Sequence, residues 1–290
     1  MANIFRNTWR IHDPDTDRVM NDTNTLSIEF LPDGFVFSVM DENAFRYVAL
    51  EAYQAEGSPG VEDYCLALRA AHADNALLGH PFRKVQAAVH TPSVVLVPDS
   101  VCKPGNMEEL FATYASKADH QLLRNDPLQV INAQGVYALS QPFLQSLETL
   151  FPHCSVKSAS LALIKNVLAT RRLERWPVDV LLHVRNAFTE ILLFEQDQFI
   201  FYRSFPTTCI DDLLYYVFYV LEQYQLRAGN LKACVIGELA MDSPGYAVLA
   251  SFFKDLQIPD RNDMFQYGEA FDDIPCHYYY NLFNLNACES

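Results

Sequence analysis

Alternating hydrophobic and polar positions predict a β-hairpin in the first fifth of the chain. Residues 25–31 and 35–40 each alternate with period two, and Pro32-Asp33-Gly34 between them has the composition of a tight turn. A third strand is predicted over 45–53. Apolar side chains three or four positions apart then predict a helix over 61–78. The pattern is therefore three strands followed by a helix.

The same order of elements returns later in the chain. Residues 178–184 form a near-continuous apolar run, which is typical of a central strand that is covered on both faces. Two further strands are predicted over 188–194 and 199–205, and a helix over 211–225. A strand at 231–236 and a helix at 244–256 complete the repeat. This alternation of strands and helices predicts an α/β protein.

The segments between the two repeats predict a connected first lobe. Strands are expected at 85–89 and 93–97, a helix from Asn106, and a strand pair or one strand bent at Gly135 over 129–139. A short strand is expected near 154–157, and helices at 141–151 and 160–172. We therefore expect an N-terminal arm at 1–24, a first lobe at 25–175, and a second lobe at 176–290. The second lobe ends in an aromatic tail around 276–285.

Composition narrows the classes of partner. The net charge of −15 would repel phosphate backbones, so direct nucleic-acid binding is not expected. The apolar run 213–221 is far shorter than the roughly 20 residues that span a bilayer, so no membrane span is expected. Seven cysteines without a C-x-x-C pair encode no disulfide framework or zinc site. Because the start of the chain lacks a secretory signal pattern, we expect a cytoplasmic protein. Because the cysteines form no zinc pattern, we also expect no bound metal.

The order of elements resembles the actin-like ATPase superfamily, which includes actin, heat-shock chaperones and sugar kinases. The run 136–142 leading into a helix, and 156–164 after it, resemble the cell-division and type IV pilus assembly branch. The chain also resembles an uncharacterised Bacteroidota family, known only as a domain of unknown function. The resemblance implies two actin-like (ribonuclease H-like) lobes. Each lobe would have a mixed sheet that begins with three consecutive antiparallel strands and is flanked by helices.

The resemblance places the second phosphate loop of the superfamily at 183–190. His183 falls at the position of the acid, and Arg185 and Ala187 fall at the two glycines. Phe188 stands for the first threonine, and Thr189-Glu190 for the final pair. Arginine prevents the close backbone approach that glycine permits, and phenylalanine removes a hydroxyl donor. ATP binding at this loop is therefore not expected.

The other two nucleotide positions are also altered. In the first lobe Glu29 is the only acid near the strand end, Pro32 removes one backbone N–H, and Asp33-Gly34 suits a hairpin turn. The turn that contacts adenosine in the superfamily corresponds to Gly237-Glu238, where a single glycine remains. If any nucleotide binds, these residues and the loop at 183–190 would hold it.

Local motifs assign no catalytic residue. The chain contains no P-loop, G-x-S-x-G, H-E-x-x-H or G-x-G-x-x-G. Asp211-Asp212 could be paired carboxylates, but their place at a helix start favours a capping role. His183 and Arg185 could hold a small anion, for which Glu190 would compete. Adjacent Cys276-His277 is read as structural.

Aromatic residues mark two candidate contact surfaces. Tyr215, Tyr216, Phe218 and Tyr219 make the 211–225 helix apolar nearly all round, and the C-terminal tail is rich in tyrosine. Such residues either pack inside the lobe or contact a partner. We expect at least one of these two surfaces to bind another protein.

Three functional hypotheses remain open. The first is a non-catalytic, actin-like pseudo-ATPase that acts as a scaffold or adaptor through protein contacts. The second is a diverged ATPase or small-molecule kinase that uses ATP and magnesium, with Glu29, Asp33 and Glu190 near the metal. The third is a cleft between the lobes that holds some other ligand. The sequence favours the first, and it leaves the partner and the oligomeric state open.

Overall fold

The structure is a computed structural model, and it describes residues 4–14, 16, 20–103, 105–174, 177–196 and 198–287. Strands and helices alternate along the chain, which makes the protein α/β, as predicted. Contacts between residues divide the chain into two compact units. The first unit takes in 1–163, 263–273 and 281–290, and the second takes in 164–262 and 274–280.

The bounds of the described elements are as follows. The strands are β1 (Phe5–His12), β2 (Thr25–Leu31), β3 (Gly34–Asp41), β4 (Arg46–Ala55), β5 (Lys84–Val89), β6 (Val94–Pro98), β7 (Gln121–Leu128), β8 (Ala133–Ser140), β9 (Ser155–Ser158), β10 (Val180–Val184), β11 (Phe188–Glu195), β12 (Gln198–Pro206), β13 (Lys232–Gly237), β14 (Asp255–Gln257) and β15 (Gln266–Tyr267). The helices are α1 (Val61–Asp74), α2 (Met107–Tyr114), α3 (Gln141–Leu150), α4 (Ala159–Glu174), α5 (Ile210–Gln223), α6 (Pro244–Ala250) and α7 (Tyr280–Asn284). Among the helices of the described residues, none has the length and apolarity that crossing a bilayer requires.

A mixed sheet forms the centre of the first unit. Its strand order is β1-β4-β3-β2-β5-β9, and β15 pairs with β4. β2, β3 and β4 are consecutive antiparallel strands, whereas β5 and β9 add in parallel. Leu26, Ile28 and Phe30 of β2 pack in a core with Leu68 of α1 and Leu147 of α3. Since side chains alternate along a strand, Glu29 points to the opposite face, where it is also buried.

A smaller sheet completes the first unit. Its order is β6-β8-β7, and both pairs are antiparallel. Val95 and Val97 of β6 and Val136 of β8 pack against Phe111 of α2. The sequence pattern predicted β6, and the segment 129–139 contains one strand, β8, and not a strand pair. The pattern missed β7. Most residues of β7 are exposed or only partly buried, so the strand lacks a regular apolar alternation.

The second unit is built on a five-stranded sheet with the order β12-β11-β10-β13-β14. β10, β11 and β12 are antiparallel neighbours, and β13 joins β10 in parallel. Leu213, Val217 and Leu221 of α5 cover one face of this sheet, against Val180 and Leu182 of β10. Each main sheet therefore contains three consecutive antiparallel strands followed by a helix, as predicted, and in the first unit β1 precedes them.

The limits of several elements differ from prediction. Residues 5–12, expected in an irregular arm, form β1 on the edge of the first sheet. Only Phe5 and Ile11 of this strand are buried, and a bulge between Asn7 and Trp9 interrupts its period-two pattern. α6 ends at Ala250, six residues before the predicted end of the helix, and the chain then enters β14.

The division of the chain also differs from the predicted lobes. The first continuous stretch of the first unit ends at Leu163 within α4, whereas the lobe limit was expected at residue 175. The C-terminal tail, assigned to the second lobe, divides at residue 280, and Asn281 onwards groups with the first unit. Tyr47 of β4 donates a hydrogen bond to the carbonyl of Phe283 at 2.6 Å. This long-range contact has no signal in the local pattern.

Candidate functional site

The predicted phosphate loop of the second unit is a tight hairpin turn between β10 and β11. The backbone N–H of Arg185 donates to the carbonyl of Phe188 at 2.9 Å, so the turn is closed by its own backbone. Phe188 is buried, and its ring lies edge-on to His183 with centroids 5.9 Å apart. The loop is therefore packed with side chains of the unit itself.

His183 and Glu190 form a buried pair next to this turn. They lie directly opposite each other on the antiparallel strands β10 and β11. His183 Nδ1 is 2.7 Å from Glu190 Oε2, and Tyr202 donates its hydroxyl to Glu190 Oε1 at 2.6 Å. Both oxygens of the carboxylate are thus engaged within the unit. A buried carboxylate with such partners has hydrogen bonds to both of its oxygens from within the unit.

Thr189 is the only hydroxyl in the predicted loop, and it points inward. Its Oγ1 lies 2.9 Å from Oγ1 of Thr207, the residue after β12. Both side chains are buried. The Thr189 hydroxyl is therefore used to join two segments of the unit.

Arg185 connects the predicted phosphate loop with the predicted adenosine turn. Its Nη2 is 3.1 Å from Glu238 Oε1, and its side chain is only 4% exposed. The guanidinium also lies over the ring of Tyr279, with Cζ 5.8 Å from the centroid. The two turns that would contact opposite ends of a nucleotide are held together by an internal ion pair.

Gly237 and Glu238 form a turn that backbone hydrogen bonds close. The N–H of Gly237 donates to the carbonyl of His277 at 2.9 Å, and that of Glu238 donates to Val184 at 2.7 Å. Gly237 has φ of +95°, and a Cβ at this position would lie 2.1 Å from the carbonyl oxygen of Val184. The remaining glycine is therefore required by close packing on β10.

His277 belongs to the same cluster, although the sequence indicated only a structural role for it. It is 1% exposed, and its Nε2 is 2.9 Å from the carbonyl of Leu239. Burial lowers the pKa of His277, and the Leu239 hydrogen bond partly opposes that effect. Burial, followed by the charges of Glu238 and Asp242, raises the pKa of neighbouring Tyr278. His277 lies 38 residues from Leu239 along the chain, so no local motif could have indicated this contact.

In the first unit, Glu29 is held by the C-terminal segment. Its side chain is 1% exposed, and Asn281 Nδ2 donates to its Oε1 at 2.6 Å. The same Asn281 amide also lies 3.2 Å from the carbonyl of Ala159. Glu29 is thus part of a buried polar contact with the chain terminus.

The predicted first phosphate turn is a two-residue hairpin turn. Pro32 and Asp33 join β2 to β3, and Leu31 pairs directly with Gly34. The carbonyl of Asp33 accepts the N–H of Ala55 at 2.8 Å. A Cβ at Gly34 would lie 2.1 Å from the carbonyl oxygen of Tyr53, so this glycine serves the packing of β3 on β4.

Asp211 and Asp212 lie at the start of α5, as the capping interpretation expected. Asp212 Oδ2 accepts both the backbone N–H and the hydroxyl of Thr208 at 2.9 Å. These hydrogen bonds lower the pKa of Asp212. Within the part of the chain that the structure describes, no group of three or more His, Cys, Asp or Glu side chains could hold a metal ion.

Two units that each contain three consecutive antiparallel strands followed by a helix are typical of the actin-like ATPase fold. A crystal structure from Bacteroides thetaiotaomicron, described as having an actin-like ATPase fold and unknown function, is similar with a TM-score of 0.73 at 18% identity, covering 91% of this chain and 96% of that chain. The chain belongs to the family described as "Protein of unknown function (DUF3822)", which matches residues 14–256. The predicted resemblance to an actin-like family of unknown function is confirmed.

Two further solved structures share the fold. The PilM–PilN type IV pilus biogenesis complex gives a TM-score of 0.63 at 13% identity, covering 93% of this chain and 100% of that chain. The ethanolamine utilization protein EutJ from Carboxydothermus hydrogenoformans gives 0.50 at 11% identity, covering 95% and 91%. No curated protein matches the chain. At these identities the likeness establishes the fold alone.

Proposed function

We propose that the protein is a non-catalytic, actin-like scaffold or adaptor that acts through contacts with other proteins. The observation that carries this proposal is the ion pair between Arg185 and Glu238. It occupies both turns of the second unit that would contact a nucleotide in an actin-like ATPase. A triphosphate would need the backbone N–H groups of an open, glycine-rich turn, and this turn is closed.

The charges of the cluster also disfavour a triphosphate. Glu190 and Glu238 both place carboxylates beside the predicted phosphate loop, and like charges repel. The guanidinium of Arg185 is paired with Glu238, so a phosphate at this loop would compete with that carboxylate. Separating the pair would leave the largely buried Glu238 carboxylate without its cation, which costs free energy. Nucleotide binding would have to supply that free energy.

Two of the three acids that a kinase or ATPase would use for magnesium, Glu29 and Glu190, already have hydrogen-bond partners. Both oxygens of Glu190 accept hydrogen bonds, from His183 and Tyr202, and Glu29 accepts one from Asn281. Magnesium prefers carboxylate oxygens and water in an octahedral arrangement. These contacts support a protein that uses neither ATP nor magnesium.

Two further points support a role in protein contacts. One solved relative of the same fold, PilM, is part of a complex with a second protein, PilN. In addition, two tyrosines on α5 are exposed on the surface of the second unit. The cytoplasmic location that the sequence predicts is retained as part of this proposal.

Calorimetry with magnesium and ATP tests the proposal. We expect no binding heat at millimolar ATP, no phosphate release, and no rise in melting temperature, because a ligand stabilises only the folded state that it binds. Arg185→Ala and Glu29→Ala should leave these null results unchanged. Arg203→Ala, at a mostly exposed arginine of β12, is the matched control. Micromolar ATP binding that Arg185→Ala or Glu29→Ala alters would instead favour a diverged ATPase or kinase.

A further inference from the structure

The exposed face of α5 combines two tyrosines with acidic side chains. Tyr215 and Tyr219 are 63% and 45% exposed, and they lie one helical turn apart. Their rings are nearly parallel, at 17°, with centroids separated by 6.2 Å. We define this surface, with Asp211 before the pair and Glu222 after it, as the tyrosine stripe.

The other aromatic residues of the helix are packed inside the unit. Tyr216 stacks on Phe205 with centroids 4.5 Å apart, and Phe218 lies edge-on to Phe252 at 4.9 Å. These contacts, together with the buried leucines and valines of α5, hold the helix on the sheet. Tyr215 and Tyr219 are therefore on the side of the helix that the packing of the unit leaves exposed.

All the charged side chains of α5 are acidic. Its sequence from Ile210 to Gln223 contains Asp211, Asp212 and Glu222 and no lysine or arginine. Asp211 is four residues before Tyr215, and Glu222 is three residues after Tyr219, so each acid lies beside a ring. No lysine or arginine among the described residues forms an ion pair with either acid. The whole chain adds a net charge of −15, which steers cations toward such a surface.

We infer that the tyrosine stripe binds an extended, basic segment of a partner protein. The faces of tyrosine rings attract lysine and arginine side chains, and the flanking carboxylates can pair with further cations. Alternate residues of an extended chain point to the same side and are separated by roughly 6.6 Å. This spacing matches the 6.2 Å between the two rings. Cationic residues at every second position would thus contact both rings and both acids.

This surface and this kind of partner would serve the proposed adaptor. The inference rests on one part of the proposed function, namely that the protein acts through contacts with other proteins. It does not depend on the state of the nucleotide turns. A second copy of this chain fits the stripe poorly, because both surfaces would carry the same negative charge. The partner is therefore a different protein with a lysine- and arginine-containing extended segment.

A fluorescent peptide tests the inference. The probe is the acetylated heptapeptide Lys-Ala-Arg-Ala-Arg-Ala-Lys, and its binding to the full chain is measured by anisotropy at physiological salt. Replacing both rings, Tyr215→Ser with Tyr219→Ser, should weaken binding about ten-fold, since each exposed cation–π contact is modest. Tyr215→Phe with Tyr219→Phe keeps the rings and should bind like the wild type. Tyr114→Ser, at a tyrosine 78% exposed on α2, is the matched control and should change nothing.

A second pair of measurements separates specific binding from general attraction by a negative protein. Asp211→Asn with Glu222→Gln should weaken binding about five-fold, whereas the same charge change at Glu109 and Glu148 should have a smaller effect. The isomeric peptide Lys-Lys-Arg-Arg-Ala-Ala-Ala should bind less tightly, because its cations do not alternate. Thermal unfolding of each variant checks that the fold is retained.

The outcomes distinguish this inference from the proposed function. Equal peptide binding by the wild type and the serine variant would overturn the inference, as would self-association of the chain that depends on Tyr215 and Tyr219. Neither result would affect the prediction that ATP does not bind. Micromolar ATP binding with ring-dependent peptide binding would overturn the pseudo-ATPase assignment and support the stripe.

Discussion

Gly237 occupies a backbone position in the second unit that other residue types do not fit. It combines φ of +95° with a contact that places the carbonyl oxygen of Val184 2.1 Å from any added Cβ. The left-handed region disfavours L-residues, and the close approach adds a steric conflict. The turn that would contact adenosine in the superfamily therefore keeps its glycine for packing on β10.

We expect Gly237→Ala to lower the free energy of unfolding by about 3 kcal/mol or more, since strain and clash add. Gly57→Ala is the matched control, because Gly57 has φ of +83° and no heavy atom within 4 Å of the added Cβ. The control should cost only about 1 kcal/mol. Urea unfolding of the two variants measures the difference. Equal losses would show that the contact with Val184 is not restrictive.

At the scale of elements, Glu51 joins β1 to the rest of the first sheet. It lies on β4 with 1% exposure, and His12 Nε2 and Asn7 Nδ2 of β1 approach its oxygens at 2.8 and 3.0 Å. Tyr53 and Asn75 donate to the same carboxylate, each at 2.9 Å. Burial raises the pKa of Glu51, but the hydrogen bonds from His12, Tyr53 and Asn75 outweigh it, so the net pKa is lowered.

We expect Glu51→Gln to destabilise the protein by about 2 kcal/mol, because several donors lose a charged acceptor. Amide hydrogen exchange should quicken in β1 and β4 and stay unchanged in the sheet of the second unit. Since the pKa of Glu51 is lower in the folded state, its contribution is complete above the unfolded value of about 4.5 and is lost as pH falls through the folded pKa.

The acid side of the stability curve checks the sign of this contribution. The wild type should lose more stability than Glu51→Gln as the pH falls below about 4.5. Glu148→Gln, at an exposed glutamate of α3, should retain the wild-type slope. Parallel acid profiles for the wild type and Glu51→Gln would contradict the assignment.

At the scale of the whole molecule, the last described residues of the chain close the first unit. Phe283 is 2% exposed, and its ring packs edge-on against Tyr47 and Tyr267 at 4.8 and 5.3 Å. Asn281 binds Glu29, and Asn286 Nδ2 lies 3.3 Å from the hydroxyl of Tyr47. Residues 281–286 are therefore part of the core of the first unit.

We expect Phe283→Ala to destabilise the first unit by about 3–5 kcal/mol, which is typical of removing a buried aromatic side chain. Hydrogen exchange should rise in β4 and around residues 265–271. Phe45→Ala is the control, since Phe45 is 59% exposed in the same unit, and it should cost less than about 0.5 kcal/mol. Similar losses for the two variants would contradict a structural role for the C-terminal segment.

The sequence predicted the strands whose burial follows a regular pattern. β2, β3, β10 and β11 are buried along almost their full length, so each reads as an apolar or alternating run. β1 and β7 were missed because most of their residues lie on exposed sheet edges. The unit limits could not be predicted either, since they depend on contacts such as that of Tyr47 with Phe283, which are 236 residues apart.

In the candidate site, too, local features could be predicted from the sequence, whereas contacts between distant residues could not. The absence of glycine at Arg185 and Ala187 is visible in the sequence. The partner of Arg185 is not, because Glu238 lies on a different strand end and no spacing rule connects the two residues. The contact of His277 with Leu239 could not be predicted either, because the two residues are 38 positions apart in the chain.

The sequence by itself determined the repeated pattern of three strands and a helix, the net charge and the missing glycines of the predicted phosphate loop. These are properties of composition and short-range periodicity, which the backbone geometry of strands and helices converts directly into a pattern. Only the tertiary structure decided which side chains lie at the predicted nucleotide turns and which partners they bind. Burial brings segments distant along the chain together, and each buried polar group then needs a partner. For Arg185 that partner is Glu238.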